Sequence, residues 1–115
     1  MTSRIVTAFN KCMVDIVTLL GNSQLLDYVR LYTTLSPNNP IAQFSAEITD
    51  EHRVGIMAGD HGKIFDHLCN LIALHGSKRH ADLAEDIYAG LPEDTVTEIS
   101  KRLKVLVRLA DKHGQ

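Results

Sequence analysis

An all-α fold, a compact single domain over residues 1–115 built as a bundle of five or six short helices, follows from three observations. Apolar residues return every three or four positions in each segment of the chain, the period of one helix face. Glycine, asparagine and proline cluster between those segments, where helices stop and restart. No stretch reads as a strand, and the chain has neither an internal repeat nor a low-complexity tract.

The first helix carries the strongest signal. Ile5, Val6, Phe9, Cys12, Met13, Ile16, Val17 and Leu20 form an apolar stripe along its whole length. The back of this helix, Thr2, Ser3, Thr7, Asn10, Lys11, Asp15 and Thr18, is narrow and nearly uncharged. Such a helix is expected either at the centre of the bundle or with Thr7, Asn10 and Thr18 against a neighbouring subunit. Gly21 and Asn22 tolerate the left-handed conformation that closes a helix, and Ser23 is the expected N-cap of the next.

Leu25, Leu26, Tyr28, Val29, Tyr32 and Leu35 supply the inner side of a second helix, from which Leu31 points away. Thr33 and Thr34 are β-branched and weaken its end near Leu35. Between Ser36 and Pro40 each proline biases its predecessor away from the helical region, and Asn39 with Pro40 reads as an N-cap followed by a first helical residue. Ile41, Phe44 and Ile48 then form the inner face of a third helix, which either continues to Met57 or breaks near Asp50.

Gly55, Gly59 and Gly62 read as a loop, with Asp60 as a candidate N-cap. Ile64, Phe65, Leu68, Cys69, Leu71, Ile72 and His75 share one side of the helix that follows, closed by Gly76. A shorter helix opening near Ser77 carries Leu83, Ala84, Ile87 and Tyr88 and ends at Gly90. Pro92, Glu93 and Asp94 suit a first turn, because proline lacks a donor that would be orphaned there and carboxylates complement the positive helix end. Thr95 with Glu98 is an alternative start with capping-box spacing. Val96, Ile99, Leu103, Leu106 and Ala110 form the inner side of this last helix.

A chain of 115 residues removes about two-thirds of its unfolded surface from water on folding, enough for one core without metal or disulfide help. The apolar fraction of 44% and charged fraction of 23% are those of a soluble globular protein, and a net charge of -2 sets up no global attraction for nucleic acid or anionic membrane. The apolar runs fall far short of the ~18 residues of a spanning helix, so no membrane partner is expected. The amino-terminal residues do not resemble a secretory leader, which favours a cytoplasmic setting. Cys12 and Cys69 lie on apolar helix sides and are expected as buried thiols; a disulfide would require those positions to face one another.

Catalytic chemistry is not expected. Asp60, His61, Asp66, His67, His75 and His80 crowd one stretch, yet His61 and His67 are six positions apart and His67 and His75 eight, not the single turn that places two ligands on one helix face. The histidines are therefore read as solvated loop and helix-end residues, with no metal site and no cofactor. The glycines from 55 to 62 lack the phosphate-loop pattern and follow no strand. Nothing local marks Cys12 or Cys69 as an activated nucleophile.

Two binding surfaces remain. The first draws on apolar residues left outside the stripes, Leu31, Val54, Ile56, Leu74, Val105 and Val107: several of these could complete the core of a small bundle, but any that join into one patch, with Thr7, Asn10 and Thr18 of the first helix as further candidates, would form an interface with protein subunits, its own or another's. The second is the basic side of the last helix, where Lys101, Arg102, Lys104 and Arg108 would contact phosphates of a nucleic acid. Cations in the final turns also complement the helix dipole, and no aromatic residue lies beyond Tyr88 to stack on bases, so the protein partner ranks first.

The order Phe9-Asn10, an apolar helix to Leu20, a Leu-rich second helix, the Pro37 to Pro40 break, Phe44 with Ile48, and Asp60 before Ile64 and Phe65 resembles small helical proteins encoded by nucleocytoplasmic large DNA viruses. The similarity spans about the first 65 residues and rests on pattern rather than on an invariant motif. Met13, Ile16 and Val17 depart from it, since those proteins carry a more aromatic first helix. The resemblance implies a virus-encoded, virion-associated helical protein with no catalytic residues to carry over. The expected function is thus a non-enzymatic interaction or structural module, with the nucleic-acid module as the alternative.

Overall fold

Ser3 starts the first helix by accepting the Val6 N–H on its hydroxyl at 3.2 Å, and Gly21 ends it at a φ of 72°, where a side chain would be strained. This helix, α1 (Arg4–Leu20), buries Val6, Phe9, Cys12, Met13, Ile16, Val17 and Leu20. The computed structural model describes residues 3–74 and 78–113, with residues 61, 64 and 71–74 described by backbone alone. Six further helices follow among them: α2 (Ser23–Leu35), α3 (Asn39–Glu47), α4 (Asp50–Met57), α5 (His61–Leu74), α6 (Lys78–Ala89) and α7 (Glu93–His113). No strand occurs among the described residues.

Seven helices exceed the expected five or six because the third predicted helix breaks. Ile48 turns extended (φ -70°, ψ 126°) after its N–H has bonded to the Phe44 carbonyl, and Thr49 is extended as the N-cap of α4. Thr49 offers a hydroxyl to the orphan donors of a new helix, which makes the break at this position favourable. Other boundaries differ by one residue. Asn22, rather than Ser23, caps α2 by accepting the Leu25 N–H at 3.1 Å. Asn38 rather than Asn39 precedes α3, which puts Pro40 in its first turn. The expected glycine loop is mostly helical: Gly55 lies within α4 and Gly62 within α5, and Gly59 alone of the three has positive φ, at 98°. Gly76 and Ser77, the expected stop and start between α5 and α6, lie outside the described residues.

α1 is the central element. It packs most extensively on α7 and also meets α2, α3 and α6, while α7 further contacts α3, α4 and α5. One apolar cluster takes buried residues from all seven helices. Its middle holds Phe9 and Phe44 edge to face at 5.4 Å, an arrangement worth about 0.5–1.5 kcal/mol beyond the area it buries. Phe65 and Tyr88 stack at 4.1 Å where α5 meets α6. The radius of gyration is 13.0 Å, near the ~13 Å of a compact chain of this length.

Polar bonds fix the loops to this core. Asn10 Nδ2 donates to the Pro37 carbonyl at 2.9 Å and holds the turn after α2 against α1. Arg53 and Asp111 pair at 2.6 Å and join α4 to α7. Cys12 and Cys69 are free, buried thiols. Burial pushes the Cys12 thiol up to about 11 and the Cys69 thiol up to about 12. The Cys12 Sγ also donates to the Arg102 carbonyl at 3.3 Å, which keeps the group in its protonated form.

Candidate protein-binding edge of helix α2

α2 carries apolar residues on two sides. Leu25 and Val29, one turn apart, are fully buried against α1. Tyr28, Leu31 and Leu35 follow one another by three and four positions on a second side. Among the described residues α1 is the one helix that α2 packs against extensively, so on this second side Leu31 and Leu35 stay uncovered while Tyr28 packs at the margin of the core. Leu31 is 58% exposed and Leu35 is 72% exposed.

This edge borders two adjoining hollows. The larger, of about 480 Å³, lies between α2 and α6 and is lined by Gln24, Asp27, Tyr28, Leu31, Arg79, His80 and Leu83. The smaller, of about 250 Å³, continues along α2 and is lined by Tyr28, Leu31, Tyr32, Leu35 and Ser36. Tyr28 and Leu31 border both, so the two form one groove. Tyr28 stacks on His80 of α6 at 4.4 Å and 15°, which fixes the width of the larger part. Burial raises the Tyr28 phenol, and burial with the nearby Tyr28 pushes Tyr32 up to about 12. Both phenols therefore stay neutral near pH 7. The lining offers aromatic and aliphatic area, and one charge of each sign, Asp27 and Arg79, in the larger part. Tyrosine of this kind is enriched where proteins bind one another, since it gives large area with few rotatable bonds and a polar tip.

The residues expected at a partner surface are dispersed. Leu31 belongs to the groove. Thr7 and Thr18 are exposed on α1 but about 16 Å apart along its axis. Thr18 Oγ1 donates to the Val14 carbonyl of its own helix at 2.8 Å. Asn10 is half-buried and its amide is committed to the Pro37 carbonyl. Val105, 39% exposed, lies between Lys101 and Arg108 on the outer stripe of α7 and not beside Leu31. Of the remaining apolar candidates, Ile56 and Val107 complete the core instead of facing outward, because α4 and α7 each pack against more than one helix and so bury more than one stripe. Val54 is exposed on α4, and the side chain of Leu74 lies outside the described residues.

The basic side of α7 is partly neutralised within the helix. Glu98 accepts from Arg102 at 3.0 Å and from Lys101 at 3.3 Å, and these bonds hold its carboxyl below the ordinary range. Lys104 is half-buried and Arg108 is exposed. Arg102 further donates to the Glu98 carbonyl at 3.2 Å, so two of the four expected phosphate contacts are engaged with one carboxylate.

His67 corrects the reading of the histidines as solvated. It is 4% exposed, with Nε2–H donating to the Phe44 carbonyl at 3.3 Å and its ring edge-on to the Phe44 ring at 5.0 Å. Its place beside Leu68 on the apolar side of α5 explains this, since the carbonyl of Phe44 retains a second lone pair after bonding to Ile48. Among the described residues no three His, Cys, Asp or Glu side chains converge as metal ligands, and no helix is long and apolar enough to cross a membrane. Of the residues that spacing places on the inner side of α2, Tyr28 and Tyr32 are half-buried and Leu35 is exposed, because α2 has two apolar stripes and only one can face α1. Compared with known proteins, the chain matches no family model, no curated protein and no solved structure.

Proposed function

We propose that this protein is a non-catalytic interaction module that binds a protein partner, a second copy or another chain, along the groove between α2 and α6. The observation that supports this reading most directly is the pair Leu31 and Leu35, 58% and 72% exposed beside two tyrosines on a helix with one extensive packing neighbour. Contiguous exposed apolar area of this kind is disfavoured in water and is released when a partner covers it. The resemblance to viral helical proteins adds a further element to the proposal, that the assembly so joined is a virus particle.

The reading is tested by a photoreactive residue placed at Leu31 and, separately, at Val54, which is 70% exposed on α4 and lies away from the groove. Cross-linked adducts with protein are expected from position 31, lost in the Leu35→Asp background, and absent from position 54. Equal adducts from both positions, or none from position 31 together with a strict monomer in sedimentation, would overturn it.

A further inference from the structure

The corner between α3 and α4 is closed by a histidine where a capping box ordinarily has a carboxylate or amide. Thr49 Oγ1 accepts the His52 N–H at 3.2 Å, and His52 Nδ1 accepts the Thr49 N–H at 3.3 Å while lying 3.0 Å from the Thr49 hydroxyl. A glutamate or glutamine oxygen at this position accepts throughout the neutral range. An imidazole nitrogen accepts only while the ring is neutral; once protonated, Nδ1 can no longer accept the Thr49 N–H and can only donate, to the Thr49 hydroxyl, and the ring carries positive charge at the positive end of α4.

The same imidazole lies against a second one. The rings of His52 and His67 are 5.4 Å apart, and His67 is buried between α3 and α5 with its Nε2–H bonded to the Phe44 carbonyl. Two imidazolium ions at that separation repel, strongly so with one of them buried. The charges acting on His67 are Glu47 from α3, which favours the imidazolium, and His52 from α4, which opposes it; burial outweighs both and lowers its proton affinity. Around His52, Asp50 and Glu51 share the first turn of α4. Glu51 pairs with Lys63 of α5 at 3.5 Å, and Arg53 pairs with Asp111 of α7. Glu51 is thus engaged with Lys63, while Glu47 and Asp50 are the carboxylates that would offset part of a charge gained at the corner.

We propose that Thr49, His52 and His67 form an acid-sensitive latch, in which protonation of the histidines releases the α3–α4 corner from α5 while α1 and α7 stay packed. The corner is suited to local release: α4 has eight residues and a single buried side chain, Ile56, whereas α1 and α7 bury seven and five. Opening would add Ile56 to the exposed Val54 and Met57 of the same helix.

Amide hydrogen exchange, expressed as protection relative to the intrinsic rate at each pH, tests this on the full chain. Between pH 7.5 and 5.5, protection of α4 is expected to fall about five- to tenfold relative to α1, the size of losing one helix cap. His52→Gln keeps an acceptor at the capping position without a titrating ring, and in this variant the fall is expected to shrink to less than half. His52 is only half-buried, so this variant tests the latch without disturbing the core; His67→Gln is expected to act in the same direction. Protection of α4 that is independent of pH, that falls equally in His52→Gln, or that falls together with α1 in a uniform loosening would overturn the proposal.

Discussion

Phe9 and Leu31 are both large apolar side chains at helical spacing, yet removing them should have very different consequences. Phe9 is fully buried and meets Phe44 edge to face, so Phe9→Ala leaves a cavity among residues of several helices and should cost about 3–5 kcal/mol. Leu31 loses little on folding, and Leu31→Ala should change stability by less than about 0.5 kcal/mol. Urea unfolding of the two variants measures both, and a loss of more than about 1 kcal/mol at Leu31 would mean that its side chain is covered within the fold. The first helix was legible residue by residue: every position of its apolar stripe except Ile5 is buried, and Ile5 packs against the core from its margin. His67 was not legible, because its burial depends on a carbonyl of another helix, Phe44, whose position no local pattern encodes.

At the scale of elements, glycine illustrates where sequence signals lose their meaning. A glycine inside a helix costs about 1 kcal/mol against alanine and is tolerated, whereas a glycine at positive φ is required by the backbone. Gly55 and Gly59, four residues apart, are one of each. A Cβ at Gly55 would lie 3.4 Å from Lys63 Cδ, the flexible stem of an exposed side chain, so Gly55→Ala should stabilise the protein by about 0.5–1 kcal/mol through helix propensity. Gly59 has open space around it but a φ of 98°, so Gly59→Ala should destabilise by about 1–2 kcal/mol despite meeting no atom. Thermal melts of the two variants should move in opposite directions. Both residues sit in one Gly-rich stretch, and composition alone gave them one reading, a loop. The break between α3 and α4 was open for a related reason: the partner of Thr49 in its capping box is His52, and the usual signature asks for a carboxylate or amide there.

For the whole molecule, three buried ionisable groups limit the pH range of the core, one from the acid side and two from the alkaline side. The cluster formed by all seven helices encloses His67, Cys12 and Cys69, each buried in the form that carries no charge. His67 has its proton affinity lowered, chiefly by burial, from an ordinary value of 6.5. Its contribution is then fully present above pH 6.5 and is lost as the pH falls from there through the lower folded-state value, since the unfolded chain takes up the proton first. The thiols act in the opposite direction. Burial raises Cys12 from 9.0 to about 11 and Cys69 from 9.0 to about 12, so their contribution is present below pH 9.0 and declines as rising pH passes through the folded-state values, where the unfolded chain has already lost its protons. Stability, read as the urea midpoint under reducing conditions, should therefore be highest between pH 6.5 and 9.0 and fall on both sides. The acid flank should flatten in a variant whose His67 is replaced by Gln, and the alkaline flank in one whose Cys12 and Cys69 are replaced by Ala, after allowance for the volume each change removes. A midpoint that stays constant from pH 9 to 11 in the parent chain would place the two thiols in contact with water and remove them from the core around which α1 and α7 are packed.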